Sequence, residues 1–507
     1  MQYKSLAESL EKLEETTSYL EKNSIISELL NETPKESIEK VVRLLLGRVY
    51  PAFVSQETGI GLQQLKKAVG KVTGYSEDKI DDFMEEIGDL GDVAEKLTKN
   101  KKQVTLAEST LTVEEVHDNI HKIPTIIGEG SVDRKIRTVA KLLSNASPVE
   151  AKFIVRTILG DLRIGVAEGR LRDAISEAFN VSSEAVEHAY MLTTDYGKVA
   201  KAVAENGEEG LSELGLTVGH PVNPMLAQRT EGIRDVLDRM GGEAAFEMKL
   251  DGIRIQPHKG DGEVFLFTRR MEDYTSMFPE LEEPIKQSLK LDQAIVDGEL
   301  VAIDPETGEP MPFQEVLRRR RKYDIEEVAE EIPVEIHLFD ILLAGEETII
   351  EEPYLERRKR LEEVIKPSDK VKLVEQKILD DCEEIEEFQK SATSQGHEGL
   401  LAKDLDSVYR AGKREFAWLK LKSEAETLDL IVVGADAGKG KRAGTFGSYL
   451  LAARDPETNE FRTVTKIGSG YTDEDLEELT KKFKSITRKE KPPEVRAELE
   501  PDHWISP

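Results

Sequence analysis

The stretch "FEMKLDGIRIQ", Phe246 to Gln256, places a lysine between two acids just ahead of an Asp-Gly step. Read with the period of two that a strand imposes, Phe246, Met248 and Leu250 share one face, and Glu247, Lys249 and Asp251 share the other. The alternation predicts a half-buried strand with one core face and one face loaded with charge. Taken alone, Asp251-Gly252 reads as a hairpin turn beside an exposed lysine.

The same arrangement recurs downstream. In "FAWLKLK", Trp418, Lys420 and Lys422 share a face while Leu419 and Leu421 point into the core; in "VDGELV", Asp297 and Glu299 share one. Arg269 in "FTRRMEDYT", Phe339 in "HLFDILL" and Glu398 in "HEGLLAK" add an arginine, an aromatic ring and a carboxylate. Each has a plain reading by itself: surface acids, a core phenylalanine, an amphipathic edge strand. Together they form a set suited to a nucleoside triphosphate with its metal. Four specified residues in K-x-D-G-x-R, at ~1 in 20 each, occur by chance in well under ~1% of chains this long.

The chain has 507 residues, more than one core accommodates, which predicts two to four domains. Its formal net charge of −30 keeps a chain soluble and repels anionic partners at long range, so binding to nucleic acid requires local basic patches. One cysteine, Cys382, excludes an intrachain disulfide framework, and the eight histidines form no zinc-binding pattern. The N-terminus, "MQYKSLAESLEKLEETTSYLEK", is charged rather than apolar, and no run of ~18 apolar residues occurs. The expectation is a soluble cytoplasmic protein.

From Met1 to about Gly215 the pattern is helical, with Leu6, Leu10 and Leu13 on one stripe. "LGLTVGHPVNPML", with Gly219, Pro221 and Pro224, then punctuates the chain as a domain junction. Short β-rich runs alternating with helical pieces follow, the order of an α/β or α+β domain. After Glu424, "DLIVVGADAG", "SYLLAARD" and "FRTVTKIGSG" resemble strands of a small barrel, with "DEDLEELTKKF" as a helix. "GKGKRA", Gly438 to Ala443, matches the dinucleotide fingerprint G-x-G-x-x-A, but that motif must open a helix and strand-like sequence follows it here. A basic loop carrying Lys439, Lys441 and Arg442 toward phosphates is the preferred reading. No P-loop occurs.

The order "KLDGIR", "DGELV", "HLFDILL", "EGLLAK", "WLKLK" resembles the nucleotidyltransferase motifs of ATP-dependent DNA ligases. From about Gly130, "GSVDRKIRTVAKLLSNASPVEAKFIVRTILGDLRIGVAEGRLRDAI" looks like the helical DNA-binding domain of the archaeal and eukaryotic replicative ligases. Capping enzymes and RNA ligases share the lysine motif but are not expected to carry that domain. The resemblance implies a multi-domain chain: an all-α DNA-binding domain (1–215), an α+β, ATP-grasp-like nucleotidyltransferase domain (222–424) and a β-barrel OB-fold domain (425–507). Between Ser131 and Arg172 nine Lys/Arg (Arg134, Lys135, Arg137, Lys141, Lys152, Arg156, Arg163, Arg170, Arg172) face four Asp/Glu, a local excess of five positive charges. Arg318 to Lys322 in "LRRRRKYD" form a second basic cluster, either phosphate-facing or a solvated helix face.

The resemblance further implies ATP and Mg²⁺ as cofactors and nicked double-stranded DNA as partner. Lys249 is the implied nucleophile, forming a lysyl-AMP. Glu247 falls at the adenine amino group, Phe339 against the ring, Glu299 and Arg269 at the ribose, and Arg254, Arg414, Lys420 and Lys422 at phosphates. Glu398, with Glu299, is the metal-associated carboxylate. A nucleophilic lysine must be neutral, while acids at Glu247 and Asp251 favour its ammonium form, so Mg²⁺, Lys420, Lys422 and Arg254 are expected to activate it.

Two features depart from the family. No final Arg-x-Asp-Lys motif follows Glu424, and the last region looks short for a complete five-stranded barrel, which predicts a C-terminally incomplete OB-fold, from truncation or natural variation, with poor self-adenylation. The alternative is a nick-binding protein that only covers breaks. In "KKQVTLAESTL", Gln103 and Leu106 resemble a sliding-clamp motif without its aromatic pair. Three tethered domains can encircle a duplex, so a monomer is expected, acting in replication, repair and recombination.

Overall fold

The computed structural model describes all residues except 55, 57, 100–109, 321–324, 423–428, 439–441, 443, 456, 457 and 459. The chain divides into two compact units, Met1–Ser423 and Glu424–Pro507. Among the described residues no helix is long and apolar enough to cross a membrane.

Among the described residues the first unit opens with twelve helices, from Tyr3–Glu15 to Tyr196–Ser212, that share one apolar core. Leu6, Leu10 and Leu13 are fully buried on the stripe that their spacing predicts. Local signals set the ends. Thr112 and Glu115 form a reciprocal capping box that starts Val113–Lys122. Ser147 and Pro148 start Pro148–Leu159, and Gly160 ends it at φ +75°.

Helix Pro148–Leu159 runs through the core and corrects the reading of the basic patch. Lys152 lies 2.7 Å from Glu14 and 3.0 Å from Asp92, and Arg156 pairs with Asp89, Asp92 and Glu14 at 2.9 to 3.1 Å. Both are buried. Their charges are matched inside the fold, because an unpaired buried cation is prohibitively costly, and they are removed from the surface available to DNA. Arg134, Arg137, Lys141 and Arg163 remain exposed.

Segment 213–225 forms neither helix nor strand and leads into two sheets. The first has the order Leu226–Arg229, Arg414–Lys422, Gly399–Lys403, Ala244–Met248, Gln376–Leu379. The second is seven-stranded, with Ala294–Ile303 between Ile253–Gly260 and Val334–Ala344 at its centre. Phe246, Ile295, Phe339 and Leu400 belong to the core between the sheets, and a second core built on Ile255, Leu300 and Ile336 covers the outer face of the seven-stranded sheet. Strand Ala244–Met248 is therefore buried along its whole length, not half-buried as alternation predicts. It pairs on both edges, so its charged face is also interior. The helical and mixed regions touch through a Lys413–Glu187 ion pair at 2.7 Å and an Asn223 N–H donated to Met191 O.

The basic run at Arg318 is likewise not one surface. Arg319 is buried and donates to Ile332 O, Met277 O and Glu280, while Arg318 pairs with Glu315 and Glu331. Lys322 lies outside the described residues.

Glu424–Pro507 forms a six-stranded sheet ordered Thr487–Arg488, His503–Ile505, Ile431–Ala437, Phe446–Arg454, Phe461–Ile467, Val495–Arg496, where the sequence suggested a barrel short of five strands. Register shifts at Val432/Gly434, Asp436/Ala437 and Leu451/Ala452 curl it. Helix Asp473–Lys484 buries Leu476 beside Phe446 and Tyr449. Among the described residues the strand after Ile431–Ala437 is Phe446–Arg454, with Gly438 N–H donated to Thr445 O, while Lys439 and Lys441 lie outside the described residues. A dinucleotide fingerprint needs a helix at this point, so that reading is excluded.

Candidate active site

Lys249 follows the end of strand Ala244–Met248. Its backbone N–H donates to Gly399 O at 2.9 Å, and its C=O accepts from Glu398 N–H at 2.9 Å, which fixes the two residues opposite each other. Their side chains meet. Lys249 Nζ lies 2.8 Å from Glu398, and Lys422 Nζ reaches the same carboxylate at 2.8 Å. Burial would raise the Glu398 carboxyl, but the bonds from Lys249 and Lys422 outweigh it and hold the group below the ordinary range.

A cavity of about 820 Å³ opens beside Lys249 and is lined by Glu247, Lys249, Arg254, Arg269, Glu299, Phe339 and Lys420, among others. Seven of the nucleotide-site residues expected from sequence thus line one space. Lys420 lies below its usual range through burial, then the charges of Lys249, Arg269, Arg414 and Lys422. Arg414 and Lys422 therefore belong to the same cationic cluster, although neither lines the cavity. Glu299 is pushed up to about 7 by burial, against the opposing pull of Lys249 and Arg254.

Gly252 owes its identity to close packing rather than to a turn. A Cβ there would lie 3.0 Å from Glu299 Cγ and 3.1 Å from the Leu300 carbonyl carbon, against strand Ala294–Ile303. The Asp-Gly step lets the chain that carries Lys249 pass against the strand that carries Glu299. Asp251 accepts from Phe313 N–H at 3.3 Å, which ties helix Phe313–Arg318 to the cavity rim.

Two of these side chains have partners that the sequence did not indicate. Glu247, inside strand Ala244–Met248, lines the same cavity as Lys249 but is tied to other partners: it lies 2.8 Å from Lys403 and accepts from Tyr354 and Gln376. The acid that engages Lys249 is Glu398. Arg254, expected at a phosphate, donates to Asp297 at 2.7 Å, to Met225 O at 2.6 Å and to the Tyr409 hydroxyl at 3.2 Å. Its guanidinium stands 5.4 Å from the Phe339 and Trp418 ring centroids. Its two Nη groups are engaged by these acceptors while the buried Nε has no hydrogen-bond partner, which seats the guanidinium in the cavity wall.

Sequence reasoning missed Lys403, Tyr354, Gln376 and the rim residues Arg270, Glu272 and Arg320. Lys403 stood inside "EGLLAK" and Arg320 inside the basic run, so the residue types were visible. Their neighbours were not.

Family profiles described as "DNA ligase N terminus", "ATP dependent DNA ligase domain" and "ATP dependent DNA ligase C terminal region" match residues 2–176, 224–422 and 442–507. A DNA ligase from Thermococcus fumicolans is 47% identical over 502 residues, covering 99% of this chain and 89% of that relative. The chain belongs to the ATP-dependent DNA ligase family. A DNA ligase from Methanopyrus kandleri is 44% identical over 499 residues, covering 98% of this chain and 89% of that one. Among solved structures, "mycobacterial DNA ligase D complexed with ATP and MES" aligns at 24% identity and a TM-score of 0.33, over 56% of this chain and 85% of that one. The ligase is thus an enzyme that seals DNA nicks with ATP, and the alternative of a protein that only covers nicks is not favoured.

Proposed function

We propose that Lys249 is the ligase nucleophile; the carrying observation is its place at the cavity wall, with Nζ bonded to Glu398 and the Lys420 cluster beside it. As a neutral amine released from Glu398, it attacks the α-phosphorus of ATP. The N–P bond forms as the bond to the bridging oxygen breaks, and pyrophosphate leaves with the electron pair. The adenylyl group passes to the 5′-phosphate at a nick, and the 3′-hydroxyl then displaces AMP to complete the phosphodiester. Covalent catalysis divides one difficult condensation into easier steps.

In this reading Glu247 accepts from the adenine amino group and Phe339 packs against the ring. Glu299 and Arg269 hold the ribose, and Arg414, Lys420 and Lys422 meet phosphates. Arg254 sets the wall through Asp297. Among the described residues no group of three or more His, Cys, Asp or Glu is placed to hold a metal, but Glu398 and Glu299 suit Mg²⁺, which takes oxygen ligands and keeps several waters. Burial disfavours the Glu299 anion, a penalty that a nearby cation would relieve. When bound, the ion would neutralise charge on the phosphates.

The reading assigns 1–215 to DNA binding, through the exposed Arg134, Arg137, Lys141 and Arg163, 222–424 to adenylation, and 425–507 to an OB-fold. A monomer acting in the cytoplasm in replication, repair and recombination fits it. Sliding-clamp binding through Gln103 and Leu106 rests on sequence alone, since both lie outside the described residues.

The test separates the steps. Lys249→Ala should fail to seal a 5′-phosphate nick with ATP, yet seal a pre-adenylated nick within about tenfold of the parent rate. Loss of both reactions to the same degree would refute the assignment of Lys249 to the first step.

A further inference from the structure

Glu247 is 1% exposed and lies at the centre of a buried hydrogen-bonded set. Gln376 sits directly opposite it on the neighbouring strand and donates to its Oε1 at 3.2 Å. The Tyr354 hydroxyl donates to the same oxygen and itself accepts from Gln376. Lys403 Nζ reaches Oε2 at 2.8 Å from the other neighbouring strand, where it pairs across from Ala245, whose small side chain leaves room for it. Lys403 is fully buried, with its ammonium 4.4 Å from both the Phe339 and Trp418 ring centroids.

A carboxylate offers about four acceptor sites. Tyr354 and Gln376 occupy two on Oε1, where Arg358 also pairs at 3.9 Å, and Oε2 is held by the Lys403 ion pair, which leaves acceptor capacity on Oε2 in a group that lines the cavity. Burial, then the Glu247 charge, push the Tyr354 phenol well above its usual range, so its hydroxyl remains a donor.

We infer that Tyr354 and Gln376, which hydrogen-bond Oε1 of Glu247, and Lys403, which pairs with Oε2, are positioning residues that fix this carboxylate and present its remaining acceptor capacity to the nucleotide, so that the pocket selects a purine carrying a 6-amino group. The inference rests on the reading of Glu247 as the adenine acceptor. A purine without that amino group leaves the buried carboxylate short of a donor, and a 6-oxo purine brings an acceptor against an acceptor. Lys403 also forms the cationic floor beneath the rings that would hold the base, which couples the stacking surface to the acceptor.

The test uses the full chain and follows covalent nucleotide addition by intact mass, with ATP and with its 6-deamino analogue, purine riboside triphosphate. The parent should favour ATP in kcat/KM by about tenfold or more, the worth of one hydrogen bond to a charged group. Tyr354→Phe and Gln376→Met should each bring that ratio within about threefold of unity, mainly by raising KM for ATP. The analogue's kcat/KM should move by less than about twofold. Lys403→Met should act similarly; if it fails to fold, because it leaves a buried carboxylate unpaired, the other two variants carry the test. Equal losses for both nucleotides would mean that the three residues only support the fold, and would overturn the inference. Glu247→Gln and Glu247→Leu separate the two levels. If Glu247→Leu, which has no acceptor, also preserves the preference for ATP, Glu247 is not the adenine acceptor and the underlying reading fails. If it abolishes the preference while Tyr354→Phe and Gln376→Met retain it, the positioning inference alone fails.

Discussion

Gly252→Ala is the smallest change that tests whether the site depends on close passage of two backbones. The added Cβ would lie 3.0 Å from Glu299 Cγ and 3.1 Å from the Leu300 carbonyl carbon, where carbon atoms normally rest at ~3.5 to 4.0 Å. Relief requires a shift of roughly 0.5 to 1 Å, and the strand that must yield is flanked by hydrogen-bonded neighbours on both sides. Overpacking of this kind costs about 1 to 3 kcal/mol in stability. The displacement falls between Lys249 and Glu299, and misplacement of a reacting group by ~1 Å costs on the order of 100-fold in rate. Self-adenylation should therefore fall roughly 10- to 100-fold in a protein that remains folded. Gly262→Ala is the control: Gly262 has φ +78° with nothing near its missing Cβ, so its replacement strains a surface turn without moving the site. Single-turnover adenylation with thermal denaturation on both variants decides the matter. A Gly252→Ala rate within about threefold of the parent would refute the argument.

Other outcomes follow from the same structure. Asp340 and Arg357 are both fully buried and joined by two bonds of 2.9 Å, so Asp340→Ala should cost about 3 to 5 kcal/mol in denaturant unfolding by stranding the guanidinium. Arg156→Met should lower stability but leave the salt dependence of nick binding unchanged, whereas Arg137→Ala should reduce that slope by about 0.9 if Arg137 meets one phosphate. With Glu299 raised to about 7 in the fold, the native state holds a proton that the unfolded chain releases near 4.3. Stability should thus fall as pH rises through that window, by roughly 3 kcal/mol in total, and level off above pH ~7. Denaturant unfolding should show that slope in the parent and lose it in Glu299→Gln.

That several candidate residues come together around one cavity was legible because strand alternation and motif order are local. Trp418 and Lys420 share a face as their spacing predicts, and both line the cavity. Failures arose where partners come from distant sequence. Alternation on Phe246 to Leu250 suggested a solvent face, but pairing with Gln376–Leu379 and Gly399–Lys403 buries it, and Lys403 makes Glu247 tolerable there. A count of basic residues could not separate Arg137, in solvent, from Arg156, which is enclosed by three acids contributed by other helices. Glycine at position 252 suggested a turn, and only the structure shows the strand against which it packs.

The most direct measurement is incubation of the full chain with α-labelled ATP and Mg²⁺, followed by denaturing electrophoresis and peptide mapping, with Lys249→Ala alongside. The account predicts label retained by the parent on the peptide containing Lys249 and none in the variant. Equal labelling of Lys249→Ala, or label mapped to another lysine of the parent, would contradict it.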